Sequence, residues 1–548
     1  MEESKYDPRF AKICSVRNIP PRAWILALVS SVLQILVFPN LNLYFLSWIA
    51  MAPLLYALLR GRGGEGELFD SEGKSLRPFT VWQGFLIGWA SGIVWYLGTC
   101  YWIYPVMHVY GRLPGVAATL ITIAFCIYMG LHHGAFAALV VMMARRSTTG
   151  NRRPLLLAPV FWTAIELFRD RVIGDPWNPL GGAQIDNIPF ARMSQVAGVY
   201  GLSFAVMLVN CALVAAILLR GQRRKNLLVA SVAAAIALQI GIFAKPDPFT
   251  ATHQAVLMQE NVPLLDQKDW TPRYFDQTIS ELVKQSVEVA PKDNNPGLII
   301  WPESPAPFFI SDPRLQQWLV AMAQDKNSYL VIGTVGETHE SSGRPQLLNS
   351  ALVMDSHGNV VGRYDKIHLV PFGEYVPFQN LLFFANKLTR EVGDFARGSQ
   401  RKVFDLGGTH AGVFICYESI FPDEIREFTA NGAQVLVNIS DDLWYGETGA
   451  PAQHMQMARM RAVENHRWML VATNNGTTAS IDPLGRVVKQ SPRNVRTALV
   501  APFSPETEVT FYSRYGDVFA WTCVVISLLA VFVRWRYRAA TMIEARPA

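Results

Sequence analysis

Long apolar blocks open this chain, short alternating ones follow, and one apolar block closes it. The long blocks are Ala23–Phe38, Leu41–Leu59, Phe79–Ile103, Leu113–Ala144, Leu155–Phe168, Val199–Leu219, Leu227–Ala244 and Val518–Val533. The first two are separated only by the breaker Pro39-Asn40. A helix needs roughly 20 apolar residues to cross a hydrocarbon core of about 30 Å, and each block approaches that length. The pattern therefore predicts eight transmembrane helices. The block from 113 to 144 has length to spare for a strong tilt or an extension beyond the bilayer. The block at 155–168 is short and carries Glu166. A cleavable signal peptide fits poorly, because a second block follows the first at once.

Between 245 and 515 the apolar runs shrink to strand length: Gln254–Met258, Leu298–Trp301, Tyr329–Val335, Ala351–Met354, Ala411–Ile415, Gln434–Ile439, Trp468–Thr473 and Ala498–Ala501. Helical periodicity intervenes at Tyr274–Val289, Leu315–Gln324 and Ala452–Asn465. Asp355–Gly358 and Asp482–Gly485 have hairpin-turn composition. Strands alternating with helices predict a layered α/β domain. The expected division is a membrane domain over 1–245 with seven spans, an α/β domain over 246–512, and an eighth span with a tail over 513–548.

Composition supports the membrane. Hydrophobic residues make up 51% and charged residues 17%, against about 25% charged in ordinary soluble proteins. The formal charge of +6 is small for the length and gives no reason to expect nucleic acid. The location of the basic residues is more informative. With the N-terminus inside, the inner loops hold Arg60, Arg62, Lys74 and Arg77, then Arg145, Arg146, Arg152 and Arg153, then Arg220, Arg223, Arg224 and Lys225. Arg534, Arg536 and Arg538 follow the last block, while the outer loops are poorer in Lys and Arg. The positive-inside rule then places both termini in the cytoplasm and the α/β domain on the other side. The six cysteines form no Cys-x-x-Cys pair, so neither a disulfide framework nor a zinc site is expected.

Three predicted strand ends carry candidate chemistry. Leu298-Ile299-Ile300 leads into Trp301-Pro302-Glu303-Ser304, which holds a carboxylate on a proline-stiffened loop. Tyr364-Asp365-Lys366-Ile367-His368 runs into Leu369-Val370-Pro371-Phe372-Gly373-Glu374-Tyr375-Val376-Pro377. Val413-Phe414-Ile415 delivers Cys416, followed by Tyr417 and Glu418. Taken singly, a buried free cysteine is more often a small hydrophobe than a nucleophile. Together the three groups are what acyl transfer through a thioester requires. A thiol of ordinary pKa, about 8.5, needs a base or a cation beside it. Glu303 suits the base, and Lys366 with the Tyr417 backbone N–H suits the oxyanion. His368 and His410 are rival bases for a Cys–His arrangement. No metal or cofactor is called for, and no His-Glu-x-x-His pattern occurs.

Trp-Pro-Glu, the stretch from Tyr364 to Pro377, and Ile-Cys-Tyr-Glu, in this order and spacing, resemble the Glu–Lys–Cys motifs of the nitrilase superfamily. The whole chain is similar to the membrane-bound branch of that superfamily, the apolipoprotein N-acyltransferases. That similarity includes Pro176-Trp177-Asn178-Pro179-Leu180-Gly181 and Gly198-Val199-Tyr200-Gly201.

The resemblance implies an α-helical membrane domain plus an αββα nitrilase-like sandwich. It implies Glu303 as general base, Lys366 as oxyanion stabiliser and Cys416 as nucleophile. Glu374, Tyr417 and Glu418 match positions that order the site, and Trp270 and Trp444 match residues near the substrate. The implied reaction takes an acyl chain from the sn-1 position of a phospholipid, phosphatidylethanolamine, onto Cys416. It then passes that chain to the α-amino group of a diacylglyceryl-cysteine at an apolipoprotein N-terminus. Such an enzyme would work as a monomer in the bacterial inner membrane, with its catalytic domain periplasmic. Entrance loops bearing Trp270, Phe372, Phe378, Phe383 and Phe384 would admit lipid. Two alternatives are a membrane-tethered carbon–nitrogen hydrolase, with water as acceptor, and a transporter carrying an inactive domain. The scarcity of ionisable residues in the spans counts against the transporter.

Overall fold

The computed structural model describes residues 18–61, 78–144, 153–243, 246–263, 270–290, 297–304, 306–339, 343, 345–371, 373–375 and 395–544. The chain forms two compact units. One comprises Met1–Tyr101, Thr119–Ala244 and Asp517–Ala548; the other comprises Trp102–Ala118 and Lys245–Gly516.

The first unit is helical, and every apolar block lies largely on helix: Pro21–Val37, Tyr44–Arg60, Val81–Thr99, Gly115–Ala144, Arg153–Phe168, Ser194–Ile217, Gly221–Gln239 and Val518–Glu544. Among the described residues, four spans pass by length and composition: Gly115–Ala144, Ser194–Ile217, Gly221–Phe243 and Val518–Arg536. Val81–Thr99 joins them if it is taken with Ile103–Tyr110, from which it is bent by 62°. Pro21–Val37 and Tyr44–Arg60 are shorter apolar helices. Ser194–Ile217 is broken at Gly198 (φ 64°), inside the Gly198–Gly201 motif.

Helix contact here depends on small residues. A Cβ at Gly88 would lie 2.4 Å from the His133 carbonyl oxygen, and one at Gly92 2.8 Å from Gly130 Cα. Such ridges let apolar helices meet backbone to backbone without needing a hydrophobic driving force. Several buried polar groups pair across helices: Ser31 with Ser91 at 2.8 Å, and Arg169 donating to the Tyr96 hydroxyl at 3.0 Å. Glu166 Oε1 accepts from Trp162 Nε1 at 2.9 Å and from the Leu180 N–H at 2.8 Å. The Pro176–Gly181 motif is thus tied down by the carboxylate that stood out in the sequence.

The second unit is an α/β sandwich. Its elements are β1 (His253–Gln259), α1 (Pro272–Val289), β2 (Gly297–Ile300), α2 (Pro313–Lys326), β3 (Ser328–His339), β4 (Pro345–Met354), β5 (Val360–Asp365), β6 (Val403–Asp405) and β7 (His410–Ile415). They continue with α3 (Pro422–Ala430), β8 (Val435–Ser440), α4 (Ala450–Asn465), β9 (Trp468–Thr473), β10 (Ala479–Ile481), β11 (Val487–Gln490), β12 (Thr497–Phe503) and α5 (Phe511–Tyr515). One sheet has the order β12-β1-β2-β3-β4-β5 and the other β11-β10-β9-β8-β7-β6. Both are mixed, with parallel centres β1-β2-β3 and β7-β8-β9.

Apolar residues of α1 (Ile279, Leu282), α2 (Leu315, Leu319) and the first sheet (Met258, Ile299, Leu330) form one buried core. The expected hairpin turns are present: the Gly358 N–H donates to the Asp355 carbonyl at 3.0 Å, and Gly485 to Asp482 at 2.8 Å. Strands β5, β6, β10 and β11 were not anticipated. β6 and β10 have three residues each, and β11 is largely exposed, so none shows a long apolar run.

Candidate active site

The site is built at strand ends. Glu303 follows β2, Lys366 follows β5, Cys416 follows β7, and Asp441 follows β8. The loop after β2 is anchored by Trp301, which is fully buried. Its indole N–H donates to Ser286 Oγ at 3.0 Å, and its backbone N–H donates to the Val331 carbonyl at 2.9 Å. Truncating a buried tryptophan of this kind costs about 3–5 kcal/mol. The loop also lies flat on β3, because a Cβ at Gly333 would sit 2.0 Å from the Pro302 carbonyl oxygen.

Glu303 is buried and meets three donors. Its Oε1 accepts from Lys366 Nζ at 3.1 Å and from Asn349 Nδ2 at 2.6 Å. Its Oε2 accepts from the Asp441 backbone N–H at 2.8 Å. Lys366 Nζ also donates to Glu374 Oε1 at 3.0 Å. Asn349 Nδ2 reaches the same Glu374 oxygen at 2.6 Å, and Glu374 Oε2 accepts from the Val370 N–H at 2.8 Å. One amide and one ammonium therefore bridge two carboxylates. Asn349 additionally fixes the lysine's main chain, because its carbonyl accepts from the Lys366 N–H at 2.9 Å.

Cys416 is buried and takes φ +52°, a left-handed conformation that costs a non-glycine residue on the order of 1–3 kcal/mol. The turn is held at both sides. The Cys416 carbonyl accepts from Asn438 Nδ2 at 3.3 Å and lies 3.2 Å from His454 Nε2. Glu418, fully buried, accepts from the N–H groups of Ile367 (2.6 Å), His368 (3.1 Å) and Ile415 (2.7 Å), and from the Tyr364 hydroxyl at 2.9 Å. It thus fastens the lysine loop to the end of β7. Burial and Glu424 push its pKa up to about 8. Glu418 lies within coordinating reach of His368 and Glu424, but its oxygens are already taken by protein donors.

The charges follow from these neighbours. Burial disfavours the Lys366 ammonium, but Glu303 and Glu374 outweigh it and hold its pKa well above the ordinary lysine value. Burial, and then Glu303, hold the Cys416 thiol well above its ordinary range despite Lys366. The resting sulfur is therefore a protonated thiol, which cannot act as a nucleophile without a base. Glu303 and Lys366 both exert direct electrostatic influence on the sulfur.

The remaining expectations divide. Neither rival base serves Cys416. His410 is at the opposite end of β7, and His368 faces Glu424 while stacking on Phe421 at 4.2 Å. Tyr417 packs edgewise on Phe421 at 5.3 Å. Trp270 packs against Tyr274 at 5.1 Å and Phe308 at 6.3 Å, beside the core of the first sheet. Trp444 lies in the turn after Asp441, 6.1 Å from Tyr110. Phe372, Phe378, Phe383 and Phe384 lie outside the described residues. Sequence reading missed Asn349, Asp441 and His454.

The family model described as carbon-nitrogen hydrolase matches residues 254–510, the span of this sandwich. A second model, the apolipoprotein N-acyltransferase N-terminal domain, matches residues 30–212. The apolipoprotein N-acyltransferase of Geobacter metallireducens is 34% identical over 95% of this chain and 97% of its own length. That of Pseudomonas aeruginosa PAO1 is 31% identical over 90% of this chain and 92% of its own. Among solved structures, the amidase from Nesterenkonia sp. AN1 aligns at 20% identity over 49% of this chain and 98% of its own, with a TM-score of 0.35. The chain belongs to the apolipoprotein N-acyltransferase family, the acyltransferases of the nitrilase superfamily.

Proposed function

We propose that this enzyme moves an acyl chain from the sn-1 position of phosphatidylethanolamine, through a thioester on Cys416, to the α-amino group of an apolipoprotein's diacylglyceryl-cysteine. Glu303 takes the thiol proton as sulfur attacks the ester carbonyl. The Lys366 ammonium and the Tyr417 N–H receive the oxyanion. As the tetrahedral intermediate collapses, Glu303 returns the proton to the departing lysophospholipid oxygen. In the second half-reaction the acceptor amine attacks the thioester, Glu303 takes a proton from the nitrogen, and sulfur leaves and is reprotonated. Glu374 and Glu418 order the site. Trp270 and Trp444 line the approach of the lipid chains.

One observation carries this reading. Lys366 Nζ sits 3.1 Å from Glu303 and 3.0 Å from Glu374, beside a thiol whose acidity both Glu303 and Lys366 alter. A cation held between two carboxylates cannot itself act as a base, which leaves it the oxyanion role.

The chain is read as crossing the bacterial inner membrane eight times, with both termini cytoplasmic. Seven spans lie in 1–245, a periplasmic catalytic domain fills 246–512, and the eighth span with its tail follows in 513–548. It works as a monomer. Both substrates are held in the bilayer by acyl chains worth about 0.8 kcal/mol per buried CH₂, which explains why the chemistry is attached to a membrane domain. The decisive test is mass spectrometry of Cys416 after incubation with phosphatidylethanolamine alone. The expected result is one acyl adduct on Cys416, absent in Cys416→Ala, with no continuing release of fatty acid. Steady fatty-acid release would instead mark a hydrolase.

A further inference from the structure

The peptide unit between Cys416 and Tyr417 is gripped by its oxygen. Asn438 Nδ2 lies 3.3 Å from that carbonyl and His454 Nε2 lies 3.2 Å from it. The other end of the same unit is the Tyr417 N–H. A peptide is planar and trans, so its C=O and N–H point opposite ways, and fixing one fixes the other. Donation to the carbonyl also polarises the amide and makes its N–H a stronger donor.

His454 is placed to be such a donor. It is 4% exposed, so water does not compete for it. Its Nδ1 faces Asp442 Oδ1 at 3.2 Å, and its Nε2 faces Ser419 Oγ at 2.7 Å as well as the Cys416 carbonyl. A carboxylate and a carbonyl can only accept. The imidazole bridges the two, with one ring nitrogen turned to each. Asp442 is steadied in turn by the Ser440 hydroxyl, which donates to its Oδ1 at 3.0 Å. Tyr445 closes the far side of the ring at 6.0 Å.

We propose that His454, oriented by Asp442, is a positioning residue for the transfer: it grips the Cys416 carbonyl so that the Tyr417 N–H meets the oxyanion. The inference rests on Cys416 as nucleophile and on the Tyr417 N–H as oxyanion donor. Wild-type enzyme that acylates, beside Cys416→Ala that does not, secures the first of these independently.

The test uses the full-length enzyme and phosphatidylethanolamine. His454→Ala and Asp442→Asn should each slow acylation of Cys416 at saturating lipid by about 10- to 100-fold, less than the about 10²–10³ that losing an oxyanion donor outright costs, and leave KM unchanged. His454→Gln, whose amide can donate to the same carbonyl, should recover part of that loss. Alkylation of Cys416 by iodoacetamide forms no oxyanion and should stay near the wild-type rate in all three variants, which also reports on folding. Acylation near wild type in His454→Ala would overturn the proposal. So would alkylation falling in step with acylation, because the defect would then lie in the thiol or the fold. Asp442→Asn tests the same link if His454→Ala does not fold.

Discussion

Asn349 has two obligations at once. It separates Glu303 and Glu374 while donating to both, and its main chain holds Lys366. Removing the amide leaves two buried carboxylates with one cation between them. Asn349→Ala should slow Cys416 acylation by about 10- to 100-fold, and Asn349→Asp should slow it further, since a third carboxylate opposes the other two. Single-turnover acylation measures both. A second residue-scale expectation concerns Asp441, whose pKa is pushed up to about 7 by burial and then by Glu303. Its folded form holds a proton that the unfolded chain gives up near pH 4. Its contribution to stability is therefore full below that pH and is lost as pH rises through about 7. The melting temperature should fall over this window, and Asp441→Asn should flatten the slope. These residues were hidden in the sequence for a physical reason. Asn349 is one polar position inside a strand, and its value comes from two loops arriving from elsewhere. His454 gave a fainter signal: α4 is nearly all buried although it carries Gln453, His454, Gln456, Arg461 and Glu464. A helix so polar needs partners inside the protein.

At the scale of elements, the ends of β2 and β7 were legible because apolar runs stop abruptly at the residues that matter, whereas β5 before Lys366 shows no such run. Trp301-Pro302-Glu303 and Ile415-Cys416 both mark a buried strand meeting a turn. What the pattern could not show was how closely the loops lie against their neighbours. Gly333 lets the Glu303 loop rest directly on β3: a Cβ there would also come within 2.8 Å of Glu303 Cα and of the Ser304 nitrogen. Gly333→Ala must displace that loop or strain β3. It should lower acylation at least as far as losing a single positioning contact does, about 10-fold or more, and a smaller effect on the melting temperature would separate positioning from stability. The unanticipated strands β5, β6, β10 and β11 have the converse explanation. β5, β6 and β11 lie at sheet edges, where half-exposed strands need no continuous apolar run, and the buried β10 has only three residues.

Across the whole molecule, the hydropathy of the blocks and the distribution of Lys and Arg were readable, whereas span length was less so. Breakers such as Pro39-Asn40 stop helices early, and Pro21–Val37 ends at 17 residues. The proposed orientation makes a direct prediction. His357→Cys, on an exposed turn of the catalytic unit, should react with a membrane-impermeant maleimide on intact spheroplasts. Gln222→Cys, in the exposed basic stretch that opens the helix Gly221–Gln239, should react only once the membrane is opened. The reverse pattern would invert the topology.

The grouping of Trp102–Ala118 with the catalytic unit has a further consequence, for biogenesis. Trp102 packs on Tyr445 at 5.3 Å, and Tyr110 on Trp444. At about 5–20 residues per second, the ribosome finishes Trp102 roughly 20–70 s before Tyr445 emerges. During that interval two large aromatic side chains wait without their native cover, at the stage when insertion and quality-control factors inspect a nascent membrane protein. The order of synthesis thus leaves this enzyme with a window of vulnerability that a chain with its halves sealed separately would not have.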